Sequence, residues 1–211
     1  MGADEAEAEL LTNLDAPAIG TPRHLRFTTG RRRLSWNKNV IALGLASGFV
    51  EPLESTSIHL VQRGIATLMS LFPAGGITQA EVNLYNRQMT AEYEAVRDFV
   101  ILHYKQTQRD DTPFWRQVRD MSIPQTLAAR MAVFANLGRL VLDPGELFRE
   151  KSWSAVLLGQ GMQPQGYDPQ ADILPEAEVR NALRTIKNAI QSGVNTLPSH
   201  DEFLTGRRAV S

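Results

Sequence analysis

The sequence predicts a mainly α fold with a small β portion at its front, and three observations carry that reading. From residue 56 onward apolar residues recur every three or four positions, the period of helices that bury one face. Ahead of them His24-Leu25-Arg26-Phe27-Thr28 alternates as a half-buried strand does, and Val40-Ile41-Ala42-Leu43 is a short apolar run of the kind a strand covered on both faces shows. Between these stretches lie Pro17, Gly20 and Pro22, then Pro73-Ala74-Gly75-Gly76, then Gly193 to Pro198, the residues that end regular structure.

In chain order, residues 4–14 predict a short helix, with Asp4, Glu5, Glu7 and Glu9 placed early where the helix dipole favours acids. Strands are predicted at 24–28 and 40–43. Ile58, Val61, Ile65, Leu68, Met69 and Phe72 share one stripe, so a helix runs over 56–72. Thr78-x-x-Glu81 is a capping box, and the steps Val82, Tyr85, Met89, Tyr93, Val96, Val100, His103 behind it predict a long amphipathic helix. Thr112-Pro113 opens another with proline in its first turn, 124–137 makes a third that Gly138 stops, and 175–195 makes the last, with Val179, Leu183, Ile186 and Ile190 on its apolar face. No repeat or low-complexity tract divides the chain, which reads as one packed unit. Two strands rarely make a stable sheet alone, so an exposed apolar front of Val40, Ile41 and Leu43 is expected, open to a covering layer.

Composition narrows the function classes. The 211 residues are 43% hydrophobic and 21% charged, the balance of a soluble globular chain. A net charge of −1 gives no bulk attraction to nucleic acid or an anionic membrane, and the run Arg31-Arg32-Arg33 reads as a solvated strand flank. Without cysteine there is no disulfide, thiolate nucleophile or Cys-ligated metal, and four scattered histidines do not make a metal site. The acidic start is no secretory signal, and no apolar run approaches the roughly 20 residues that span a bilayer. A cytoplasmic protein is expected.

The chemistry concentrates in residues 39–60, which read as strand, glycine-bearing loop and helix start. Gly44 and Gly48 allow close backbone approach, and Pro52 stiffens the turn. Ser55, Thr56 and Ser57 put hydroxyls and backbone N–H groups at a helix start, where an anion is favoured. Glu51 and Glu54 flank that point; on physics alone they read as ordinary helix-start acids.

The literal string Gly-Phe-Val-Glu-Pro-Leu-Glu-Ser-Thr at residues 48–56 closely resembles that of the flavin-dependent tryptophan halogenase family. Leu34-Ser35-Trp36-Asn37-Lys38-Asn39, Arg97-Asp98-Phe99-Val100-Ile101-Leu102-His103-Tyr104, Pro113-Phe114-Trp115 and Leu157-Leu158-Gly159-Gln160-Gly161 resemble further family blocks in family order, over residues 4–204. The resemblance implies a helical substrate-side module, residues 56–211, behind the last strands and loop of an incomplete flavin-monooxygenase-like α+β module, residues 1–55. It implies chlorination or bromination of an indole or other electron-rich aromatic ring with reduced FAD, oxygen and halide, the FAD reduced by a flavin reductase. Glu54 matches the active-site glutamate and Ser55 the residue joining flavin and substrate sides. Thr56 and Ser57 match the halide site, where the family often has glycine at the position of Ser57. Gly48, Glu51 and Pro52 fall on the flavin side, and Phe148 near a substrate-stacking aromatic.

The resemblance has gaps. Lys38, Lys105, Lys151 and Lys187 match no catalytic lysine, which the family carries in its amino-terminal module, and Gly159-x-Gly161 follows no strand, so it is no dinucleotide fingerprint. The chain is therefore expected to be a part of a halogenase that needs its flavin-binding half. The other reading is a non-catalytic helical binding or interaction module derived from that fold. Oligomeric state is open, a homodimer included. Phe148 also reads as a core residue, as do Trp36, Trp115 and Trp153, and His59 and His103 read as hydrogen-bonded packing residues.

Overall fold

The computed structural model describes residues 2–208. Its elements are α1 (Ala3–Thr12), β1 (Gly30–Arg31), β2 (Trp36–Asn37), β3 (Val40–Ile41), β4 (Gly48–Phe49), α2 (Thr56–Ser70), α3 (Gln79–Lys105), α4 (Pro113–Asp120), α5 (Gln125–Leu137), α6 (Glu150–Gly159), α7 (Glu176–Asn195) and α8 (His200–Arg208). The fold is mainly α, with its few strands at the front.

Helix α3 is the spine. Its start is the predicted capping box: the Thr78 hydroxyl accepts from the Ala80 N–H at 3.3 Å, and Glu81 reaches back to the Thr78 N–H at 3.1 Å. One side of α3 (Val82, Tyr85, Met89, Tyr93, Val96, Val100) packs with Trp36 and Leu60 in one core cluster. Further along, Phe99 and Leu102 pack with Leu127, Phe134, Trp153 and Leu157 in a second, and Phe148 touches both. Such contiguous burial is the main force holding α2, α5 and α6 against α3.

The front is held to this spine by polar contacts. Asn86 of α3 receives the Trp36 N–H on Oδ1 and donates Nδ2 to the Trp36 carbonyl, both at 2.8 Å, so a side chain completes the ladder that β2 lacks on that side. β2 pairs antiparallel with β3 (Trp36 opposite Ile41) and β1 with β4 (Arg31 opposite Gly48). A Cβ on Gly48 would lie 2.8 Å from the Arg31 Cα, so this pairing itself requires glycine. The arginine run is not merely solvated: Arg31 pairs with Glu94 of α3 at 2.7 Å, and Arg32 donates from its side chain to the Ala46 carbonyl.

Several expectations need correction. Residues 24–28 form no strand; Phe27 meets Phe49 edge-on at 5.1 Å, but the backbone there has no ladder partner. Of 40–43 only Val40–Ile41 is strand, and it is not covered on both faces: Val40 is 64% exposed while Ile41 packs on the core. The apolar front is therefore Val40 with Leu45 and Ile58 rather than Val40 with Ile41 and Leu43. Helix α6 was not anticipated. The chain is also less uniformly packed than its sequence suggests, since α1 and α7 bury none of their residues and Leu183, Ile186 and Ile190 stand exposed. Among the described residues no helix is long and apolar enough to cross a membrane.

Candidate functional site

The loop from Glu51 to Ser57 joins β4 to α2 through a tight 3-10 turn, Leu53–Ser55. Within it Glu54 (φ 64°, ψ 8°) and Ser55 (φ 53°, ψ 35°) are both left-handed. For residues with a Cβ this costs about 1–3 kcal/mol each, which the surroundings must offset. The Ser55 N–H closes the turn onto the Pro52 carbonyl at 2.8 Å. The reversal of hand separates the loop from α2, and Ser55, the helix cap, makes no side-chain cap bond. The first N–H groups of α2 and the left-handed pair before them thus form a concave donor surface of the type that receives anions. Thr56 is buried, and Ser57 lines a cavity of about 190 Å³ with Gly44, Leu45, Gly48, Phe49 and Ile58.

Both carboxylates of the loop meet the last turns of α3, on adjacent residues. The Tyr104 hydroxyl donates to Glu51 Oε1 at 2.7 Å; burial, and then this carboxylate, push the Tyr104 phenol up to about 12. Glu54 Oε1 lies 3.4 Å from His103 Nε2. His103 Nδ1 donates to the Phe99 carbonyl at 2.8 Å, since a carbonyl can only accept, and the Gln160 amide donates to the His103 carbonyl at 3.0 Å. Phe99 stands edge-on to the imidazole at 4.9 Å, stacks on Phe148 at 3.9 Å and meets Trp153 at 5.0 Å. Glu54 is thus an exposed carboxylate backed by a histidine on a rigid aromatic base.

Pro52, Glu54 and Ser55 are exposed at the loop's tip. Glu51 is turned inward to Tyr104, and Gly48 belongs to the strand pairing. Phe148 is not brought to the loop itself: it stacks on Phe99 and packs against both core clusters. Sequence reading missed His103 and Tyr104 as site residues. Both lie in the family block 97–104, which was their only signal; the contacts themselves span 49 and 53 positions of sequence. His59 is elsewhere, 3.5 Å from Glu92, which also binds Arg63 at 2.6 Å.

For a flavin, the donors at the start of α2 beside exposed Leu45 and Ile58 suit the polar edge of a flat ring and a halide next to it. They do not suit its dinucleotide tail: Gly159-x-Gly161 ends α6 instead of opening a helix.

A model of the tryptophan halogenase family matches residues 1–176. The chain is 32% identical over 187 residues to a tryptophan 6-halogenase of Streptomyces toxytricini, covering 85% of this chain and 35% of that protein. It is 29% identical to a tryptophan 7-halogenase of Lentzea aerocolonigenes, over 95% of this chain and 41% of that one. Among solved structures, a flavin-dependent halogenase from Xanthomonas campestris superposes with a TM-score of 0.91 at 46% identity, covering 97% of this chain and 41% of the other. One from Brevundimonas sp. BAL3 gives 0.89 at 41%, covering 98% and 42%. The chain belongs to the tryptophan halogenase family. It spans about two fifths of the length of these relatives.

Proposed function

We propose that this chain forms the substrate side of a flavin-dependent halogenase that chlorinates or brominates an indole or another electron-rich aromatic ring. In this reading residues 1–55 complete a flavin-binding module whose dinucleotide grip lies outside the matched stretch, and residues 56–211 form the helical substrate-side module. Reduced FAD, when bound and supplied by a flavin reductase, provides with oxygen the oxidising power that makes halide electrophilic.

Glu54 is placed to take the ring proton. As a carbon–halogen bond forms on the ring, the C–H bond at that carbon must break, its electron pair restoring aromaticity and its proton passing to a base. A carboxylate exposed on a rigid support is suited to that, and the left-handed pair at Glu54 and Ser55 is the observation that carries the reading, because left-handed backbone at residues other than glycine clusters at ligand sites. Ser55 joins the two sides, and the N–H groups at Thr56 and Ser57 hold the halide. Pro52 would line the flavin side, with Gly48 and Glu51 fixing the loop that carries it. Phe148 supplies the aromatic wall behind the substrate. Ring position does not carry over from the relatives, since one is a 6-halogenase and another a 7-halogenase.

The test is coexpression with a flavin-binding module from a matching halogenase, plus a flavin reductase, oxygen and bromide, with indole and tryptophan offered separately. A brominated product seen by its isotope doublet, and requiring this chain, supports the reading. No product from either substrate, from a complex that binds FAD, would contradict it.

A further inference from the structure

We propose that His103 is the positioning residue of Glu54, holding one proton between its Nε2 and Glu54 Oε1 and so returning the glutamate to its charged form after each turnover. The inference rests on the halogenase reading above. It comes from the tautomer that the structure dictates. The imidazole gives its Nδ1 proton to the Phe99 carbonyl at 2.8 Å, so a neutral His103 presents a bare lone pair at Nε2. Nε2 lies 3.4 Å from a carboxylate oxygen, within ion-pair distance. Two acceptors at that distance repel; one proton between them turns the contact into a hydrogen bond or an ion pair. The pair is therefore built to take up one proton.

The support around it is stiff on every side but one. Phe99 braces the ring edge-on, Phe148 and Trp153 brace Phe99, and Gln160 holds the His103 carbonyl. The histidine side chain is 19% exposed and Glu54 41%, so substrate and water reach the glutamate first. Among the described residues Glu54 is the charged group that contacts the imidazole; Gln160 on the α6 side is neutral, and Glu51 is occupied by the Tyr104 hydroxyl.

The step balances without any redox partner. The ring C–H bond breaks, its electrons return to the ring, and the proton forms an O–H bond on Glu54. That proton then passes to His103 Nε2, giving imidazolium and a regenerated carboxylate. Nε2 afterwards loses it to solvent.

The experiment begins with the chain itself, so that it does not depend on halogenation. Ring nitrogen NMR across a pH titration should show neutral His103 protonated at Nδ1, its signals assigned by their loss in His103→Gln. Glu54→Gln should move the ring-nitrogen signals of His103 and leave those of His24, His59 and His200 in place. An Nε2-protonated neutral ring, or unmoved His103 signals, overturns the proposal whatever the enzyme does. In the coexpressed enzyme His103→Gln should lower kcat about tenfold at unchanged KM, less than the loss of the base itself, and remove one limb of the kcat–pH profile. A parent kcat with an unaltered pH profile also overturns it. If the titration behaves as stated while no product forms with either substrate, the halogenase reading fails and the proton-sharing pair stands.

Discussion

Near its start α3 holds Trp36 through Asn86, and near its end it holds Glu51 and Glu54 through Tyr104 and His103. The two grips lie about 25 Å apart on one rigid rod. They use the same device, a helix side chain reaching the front of the chain, yet they leave different things unsatisfied. Asn86 is buried, and both its amide atoms are matched to backbone. Glu54 is exposed, on a left-handed backbone, 3.4 Å from the His103 ring. The first grip matches its polar atoms to backbone, whereas the second leaves a carboxylate open to solvent beside a histidine.

That contrast can be broken by substitution. Asn86→Ala strands a buried N–H and a buried carbonyl on Trp36, so it should cost about 2–4 kcal/mol of unfolding free energy, read from urea denaturation. A loss below about 0.5 kcal/mol would mean water replaces the amide freely. Gly138→Ala comes next, at about 2 kcal/mol, because φ is 62° there and the new Cβ would lie 2.6 Å from the Gly166 carbonyl oxygen. Tyr104→Phe should cost only about 1 kcal/mol, since Glu51 can turn to water.

The Tyr104 contact has a pH signature. Folding raises its phenol to about 12, while an unfolded tyrosine ionises near ~10. The folded state thus holds a proton the unfolded state gives up, and the stabilisation is whole below pH ~10 and fades as pH rises toward 12. An ultraviolet titration should show a late-ionising tyrosine that is missing from Tyr104→Phe. If the variant titrates as the parent does, the Glu51 contact is not formed in solution.

How much of this was legible beforehand follows the same division. Helix α3 was readable because its capping box and apolar stripe are local, and α5 because Gly138 takes the left-handed stop its position demands. The alternation at 24–28 misled, since an extended strand needs a partner that pattern alone does not provide. Helix α6 escaped because its ten residues carry no side-chain cap and Val156-Leu157-Leu158 mimics a strand. The stripe on α7 gave the right element and the wrong environment: Leu183, Ile186 and Ile190 have the period of a core face and no cover among the described residues. At the site, the string around Glu54 gave the family, but not the left-handed turn or the pairing with His103, which are tertiary and invisible to any local rule.

Whether Glu54 serves chemistry or the start of a helix is tested most directly by a Glu54→Gln enzyme coexpressed with its flavin module. The amide keeps shape and hydrogen-bonding atoms but cannot take the ring proton, so single-turnover formation of halogenated product should fall about 10²–10⁴-fold. Unfolding midpoint and substrate KM should stay at the parent values, and Glu51→Gln should lose far less in rate. Product formed at the parent rate by Glu54→Gln would show that the carboxylate belongs to the loop's structure alone.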